Sequence, residues 1–381
     1  MISLEDILRW MVRDGGSDLI LKTGGLPAVR VHGLIRYLSD ERLTLEFTQQ
    51  LLGQILDPKS RELFERIGQA DCAYELADVG RFRVNAFRQG GEPAFVMRHI
   101  RKDVPDFREL NLPVDQLKQL ALRKRGLVLA TGIAGSGKST TLASLIEFVN
   151  RTTNKHIVTI EDPIEFLFED KLSVVNQREV GLDTPDFAAA LKACMRQSPD
   201  IIFLGEMRDR ETVEAAISAA ETGHLVLSTM HTVNAVQTVE RILTFFPPHQ
   251  HQLLRLQLSL NLAGVISLRL IRRQDNQGLV PAVELLLSTP SVRDILAEGR
   301  TPELPKILAE GSYYGTQTFN QSLHSLYETG NITFEDAIAN SDNPDELKLQ
   351  FRGIQAGTRL DAMAGGQPPV SAAMSRQPAR R

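Results

Sequence analysis

Cysteine is nearly missing from this chain: Cys72 and Cys194 are the only two, far apart in sequence and without CxxC spacing. Their scarcity excludes a disulfide framework and a zinc ribbon, and a reducing cytoplasm fits it best. Long apolar runs are missing too, since none approaches the roughly 18 residues a membrane-spanning helix needs. The N-terminus, MISLEDILRWMVRDGG, mixes acids and bases through its apolar positions, unlike a signal peptide. The expectation is a cytoplasmic chain with no direct membrane insertion. There is no excess of positive charge either: the formal net charge is -4 and the pI about 6.1. No global field therefore holds nucleic acid or an anionic membrane. Tetrahedral zinc spacing, an Arg/Lys-aromatic groove pattern and an internal repeat of fixed period are likewise absent.

What is present is an ordinary globular balance, 42% hydrophobic and 24% charged over 381 residues, with room for two domains. Leu4, Ile7, Leu8 and Met11 follow helical spacing that Gly15-Gly16 stops, and β-like stretches follow around Leu19–Lys22 and Ala28–Val31. A second helix is expected over Thr48–Ile55. Gly80–Arg88 alternates as a half-buried strand does, with Ala94–Ile100 as its partner. Residues 1–100 thus read as a small α+β domain. Residues 101–113, charged and with two prolines, suit a linker.

From Gly126 the pattern changes, as apolar runs (LVLAT, HIVTIE, DIIFLGE, HLVLSTMH) alternate with helical stretches. Near-continuous apolar runs of this kind predict a parallel sheet covered by helices, an α/β domain over residues 114–290. Short helices are expected around Val292–Glu298, Glu303–Ala309, Thr318–Tyr327 and Phe334–Ala339 in a region spanning 291–355. A tail over 356–381, rich in Gly, Pro, Ala and Arg, is expected to be disordered.

The chemistry starts at Gly132-Ile133-Ala134-Gly135-Ser136-Gly137-Lys138-Ser139, which matches GxxxxGK[ST] between an apolar strand and a helix. Glycines let backbone N–H groups turn inward as an anion nest at a helix N-terminus, and Thr140 continues that first turn. Lys138 reaches the β/γ phosphates of ATP, and the Ser139 hydroxyl can ligate Mg²⁺. Hydrolysis also needs acids at neighbouring strand ends. Glu161, Asp162 and Glu165 follow one apolar run, and Glu206 ends another in place of the aspartate that a generic P-loop enzyme carries near Gly205.

His224 and His231 bracket the strand LVLSTM, where sensing of the γ-phosphate by hydrogen bond is the functional alternative to a satisfied polar side chain. His249 and His251 read as surface residues. Arg81 and Arg83 share one face of a strand and Arg98 sits on its partner; they are arginine-finger candidates for phosphate charge.

GIAGSGKS, TIEDPIEF, LGEMRD and ETGHLVLSTMH occur in the order and spacing of the type II/IV secretion ATPase superfamily, and the resemblance covers residues 3–355. QREVGLDT, SLNLAGVISLRLI and GTQTFNQSLHSLY resemble its PilT/PilU-type pilus retraction branch, and PilU-type members in particular. The CxxC insertion usual in assembly and secretion ATPases is absent.

The resemblance implies a PAS-like N-terminal domain and a RecA-like ATPase domain, in a homo-hexamer driving type IV pilus retraction and twitching motility. It implies ATP and Mg²⁺ as cofactors, Glu165 as the acid that polarises water, Glu206 as the Walker B glutamate and His224 with His231 as a histidine box. It places Arg81, Arg83 and Arg98 among the arginines that reach nucleotide. Its implied partners are a PilT-like paralogue and an inner-membrane pilus platform protein, with recruitment to the cytoplasmic face of that membrane. Where PilT-like members carry AIRNLIRE, Ser291–Glu298 reads SVRDILAE, keeping Arg293 and Glu298 but placing Ala297 at the second arginine. That exchange implies action together with the paralogue. The alternatives are a PilT-type principal retraction motor or a pilus assembly or secretion ATPase. A RecA-like helicase, a small-molecule kinase and a non-catalytic accessory protein are the rivals outside the family, and no nucleic-acid partner is expected.

Overall fold

The structure, a computed structural model, describes residues 3–31 and 34–352. Its first element, α1 (Leu4–Arg13), buries Leu4, Ile7, Leu8 and Met11 and is opened by Ser3, whose hydroxyl accepts from the Asp6 N–H. Then come β1 (Gly16–Lys22), β2 (Ala28–Val31), β3 (Leu34–Tyr37), α2 (Leu45–Ile55), α3 (Pro58–Ile67), β4 (Gln69–Leu76), β5 (Gly80–Gln89) and β6 (Glu92–Ile100). The six strands form an antiparallel sheet in the order β3-β2-β1-β6-β5-β4. Leu19 and Leu21, Phe82 and Val84, and Phe95 and Met97 alternate onto one face, where they meet Leu8, Leu51 and Phe64 from the three helices.

Two elements of this domain carry signals that apolar periodicity alone passes over. Asp57 caps α3 by accepting from the Lys59 and Ser60 N–H groups, Pro58 sits in the first turn, and Gly68 ends the helix at φ 79°. The edge strand β3 is exposed throughout, so it has no buried face to give it alternation.

Residues 101–113 are no free tether. Val104, Phe107 and Leu112 are buried, and the Leu167 N–H donates to the Arg101 carbonyl at 3.1 Å. The expected linker is therefore docked along the second domain, because its few apolar side chains fill gaps there.

That domain contains α4 (Val114–Ala121), β7 (Gly126–Thr131), α5 (Lys138–Thr152), β8 (His156–Glu161), β9 (Val174–Glu179), α6 (Phe187–Cys194) and β10 (Ile201–Leu204). It continues with α7 (Arg210–Glu221), β11 (Leu225–Met230), α8 (Ala235–Thr244), α9 (His251–Asn261), β12 (Leu262–Arg272) and β13 (Leu279–Leu287). The strand order is β13-β12-β7-β11-β10-β8-β9, parallel throughout except for the β12–β13 hairpin. Every residue of β7, β10 and β11 is buried, as continuous apolar strands covered on both faces require. Because these strands are parallel, their C-terminal ends and the loops after them share one edge, where ligands bind in open α/β sheets.

The described C-terminal region consists of α10 (Pro290–Glu298), α11 (Leu304–Glu310), α12 (Phe319–Glu328), α13 (Phe334–Ala339) and α14 (Pro344–Phe351). The expected helices are all there. Phe319, Leu323 and Leu347 pack on Ile271, Val280 and Ala282 of the hairpin, so its far end is covered. The tail 356–381 lies outside the described residues.

Candidate active site

The loop between β7 and α5 needs its glycines. Gly132 has φ 144°, and a Cβ there would lie 2.4 Å from the Ser136 Oγ and 2.6 Å from the Leu268 carbonyl oxygen. Gly135 and Gly137 stand at φ 75° and 93°. Gly137 caps α5 without a side-chain hydrogen bond, so the first N–H groups of the helix are left to an anion. The Ser136 Oγ is buried and unpartnered inside the loop, a polar orphan that a phosphate oxygen would satisfy.

Lys138 is folded back on this loop, its Nζ donating to the Gly132 carbonyl at 3.0 Å and the Ile133 carbonyl at 2.9 Å. Burial lowers its pKa, while the charges of Glu206 and Glu165 pull it back up. Both carboxylates therefore act on the same ammonium. Ser139 Oγ donates to Glu165 Oε1 at 3.1 Å, joining the hydroxyl suited to a metal and the acid suited to water.

Behind Glu165 stands Glu161, a buried carboxylate at the end of β8. Its Oε1 accepts from Thr159 Oγ1 at 2.7 Å and Gln177 Nε2 at 3.2 Å, and its Oε2 from the Glu165 N–H at 3.4 Å. Burial pushes its pKa up to about 7 against those hydrogen bonds. A folded pKa above the unfolded one gives stability that is complete below the unfolded value and is lost as pH rises through the folded value. Glu161→Gln should therefore gain on wild type between about pH 5 and pH 8, by on the order of 3 kcal/mol at most. Thermal melts at the two pH values check this; a constant difference in Tm would contradict it.

Glu206, one residue past Gly205 after β10, meets Arg208 Nε at 2.8 Å and His231 Nε2 at 3.4 Å. Glu206, Arg208 and His231 line a cleft of about 490 Å³ together with Met230, Gln237 and Phe245. The two histidines are separated by the strand they bracket. His231 follows β11 at the phosphate-loop edge, whereas His224 precedes it, with Nδ1 donating to the Ala219 carbonyl at 2.9 Å. Seven steps of ~3.3 Å each put ~23 Å between them. Of the two, only His231 lines this cleft. His231→Ala should lower kcat for ATP by about tenfold, while His224→Ala in the same assay should act chiefly on Tm. Equal kcat losses would contradict this placement. His249 is exposed as expected, but His251 Nε2 bonds the Phe246 carbonyl at 2.9 Å and is half-buried.

Two of the three arginines form ion pairs within the chain. Arg81 lies 3.9 Å from Glu179 Oε2, bridging the N-terminal sheet and the end of β9. Arg83 and Arg98 face one another across β5 and β6, and Arg98 Nε donates to Asp18 Oδ1 at 2.8 Å. Gln177 and Arg208 are the site residues that motif reading passed over, while Ser136 is in the motif and only its unpartnered hydroxyl is new. Arg208 could have been found, two positions after Glu206 in LGEMRD; Gln177 could not, since only the parallel pairing of β8 and β9 brings it to Glu161.

With this geometry in place, comparison with known proteins is decisive. The model of the type II/IV secretion system protein family matches residues 75–351. The chain belongs to that family. The chain is similar to the type IV pilus ATPase PilU of Pseudomonas aeruginosa, 41% identical over 95% of this chain and 94% of the relative. The type IV pilus retraction ATPase PilT of the same organism is 39% identical over 91% of this chain and 100% of its own length. A crystal structure of the pilus retraction motor PilT with bound ADP superposes with a TM-score of 0.85 at 45% identity, covering 91% of this chain and 99% of that one. As a member of this family the chain is an ATPase, and the α/β architecture expected from its sequence is the one observed. Among the described residues no helix is long and apolar enough to cross a membrane.

Proposed function

We propose that this chain is an ATP-hydrolysing motor subunit for type IV pilus retraction and twitching motility, PilU-like and acting with a PilT-like paralogue. The observation that carries the reading is the hydrogen bond from Ser139 to Glu165 on a phosphate loop whose Lys138 is acted on by the charges of Glu165 and Glu206, in a chain similar to PilU and PilT over nearly its whole length. The N–H groups at the start of α5 and Lys138 hold the phosphates. Ser139 and Glu206 would hold Mg²⁺, whose charge would neutralise the phosphate oxygens. Glu165, which accepts from Ser139 Oγ, is the carboxylate that would take a proton from the attacking water. Glu206 keeps His231 beside the site, where its ring can donate toward the γ-phosphate.

The ring is a homo-hexamer in this reading, with Arg81, Arg83 and Arg98 serving nucleotide across a subunit boundary. It acts at the cytoplasmic face of the inner membrane on a pilus platform protein. Ala297, where the principal retraction motor has a second arginine, supports dependence on the paralogue. The likeness to the PilT motor structure supports a second reading, a principal retraction ATPase.

Deleting the gene in the source bacterium tests the function. Lost twitching with surface pili retained or in excess is the expected result. Bald cells would overturn it in favour of an assembly motor.

A further inference from the structure

A buried polar ladder crosses three adjacent strands beneath the phosphate loop. Thr131, the last residue of β7, donates through Oγ1 to Ser267 Oγ of β12 at 3.0 Å; Ser267 donates to Glu284 Oε1 of β13 at 3.3 Å. The three are level in register, Ser267 opposite both Thr131 and Glu284. The same Glu284 Oε1 accepts the N–H of Ala235, the first residue of α8, at 2.8 Å. Thr131, Ser267 and Ala235 are wholly enclosed and Glu284 is nearly so.

Neither the fold nor the helix requires a carboxylate there. Asn234 already caps α8 by accepting from the Gln237 N–H, and the neighbours of Glu284 along β13 are Val283 and Leu285. An acid in that setting is costly to bury unless its contacts serve something else. Its contacts join two elements that border the phosphate loop and His231. Thr131 immediately precedes Gly132, and Ala235 follows the short loop that begins at His231.

We propose that Glu284 is a positioning residue for ATP hydrolysis, tying the loop that carries His231 to the strand that carries the phosphate loop. The inference rests on the reading of His231 as the group that meets the γ-phosphate. Without the tie, the histidine and the phosphates are set by separate elements, and a displacement of about 1 Å costs up to a hundredfold in rate. The helix dipole of α8 favours the ionised carboxylate, whereas burial pushes its pKa up to about 7. The charged groups acting on it are Arg269 of β12 and Asp342 before α14, which pair with each other at 2.6 Å.

The test is a series of purified full-length variants, with kcat, fluorescent ATP-analogue affinity and Tm read for each. Glu284→Gln keeps the acceptor oxygen and should retain kcat within about threefold, whereas Glu284→Leu should lose tenfold or more with nucleotide affinity little changed. Ser267→Ala, the mildest break in the ladder, should lose about fivefold in kcat, and should lose nothing further in a His231→Ala background. A folded Glu284→Leu protein with wild-type kcat would overturn the proposal. So would Ser267→Ala at wild-type turnover, or an equal loss in both backgrounds, even if Glu284→Leu fails to fold. If His231→Ala alone has no effect, it is the reading of the histidine that falls; if His231→Ala slows turnover and Ser267→Ala does not, only the tie falls.

Discussion

Lys138→Ala should abolish ATP hydrolysis, with phosphate release reduced by at least about a hundredfold. The expectation follows from where the ammonium sits. It is buried and bonded to two carbonyls of its own loop, and the charges of Glu206 and Glu165 partly offset the burial that lowers its pKa. Alanine removes the cation that the phosphate loop itself carries. It also leaves two acids facing an incoming polyanion, so nucleotide affinity should fall with turnover. A melting curve separates this from unfolding, because a cation whose desolvation is already unfavourable adds little to stability and Tm should change by only a few degrees. Unchanged turnover in the folded variant would remove the basis for assigning this loop.

Glu165→Gln should behave differently, keeping ATP binding while kcat drops by about a hundredfold to a thousandfold. Glutamine preserves the volume and the acceptor for Ser139 Oγ, so the pocket as built from Ser139, Glu165 and Glu161 survives. What it lacks is the negative charge that takes a proton from water. Equilibrium binding of a fluorescent ATP analogue alongside single-turnover phosphate release distinguishes the two steps. A variant that loses affinity and kcat in parallel would make Glu165 a binding group, and the role of water-polarising acid would pass to Glu161 or Glu206.

The parts of this molecule legible in its sequence are those where one physical demand dominates. The strands β7, β8, β10 and β11 are buried on both faces, so each reads as an uninterrupted apolar run. The strand β9, VVNQRE at the sheet edge, has no fully buried residue and carries no such signature, although it supplies Gln177 to Glu161. The hairpin β12–β13 reads as apolar, yet only the folded register reveals that Ser267 and Glu284 sit level with Thr131.

For the site the division is similar. The phosphate loop is local and its glycines are fixed by steric need, so a short motif suffices. The histidines are equidistant from LVLSTM in sequence, and which one reaches the pocket depends on strand direction, set by pairing with β7. The arginines illustrate the opposite limit: their alternation on β5 and β6 is legible, but the contacts of Arg98 with Asp18 and of Arg81 with Glu179 come from separate parts of the chain.

The central claim is that the phosphate loop belongs to a hydrolysing centre that copies of this chain form without a paralogue. The most direct measurement is steady-state phosphate release by the purified protein without any paralogue, at saturating ATP and magnesium. The account predicts turnover on the order of a cycle per second or slower, well above the spontaneous rate. Tight ATP binding with no phosphate release would contradict it.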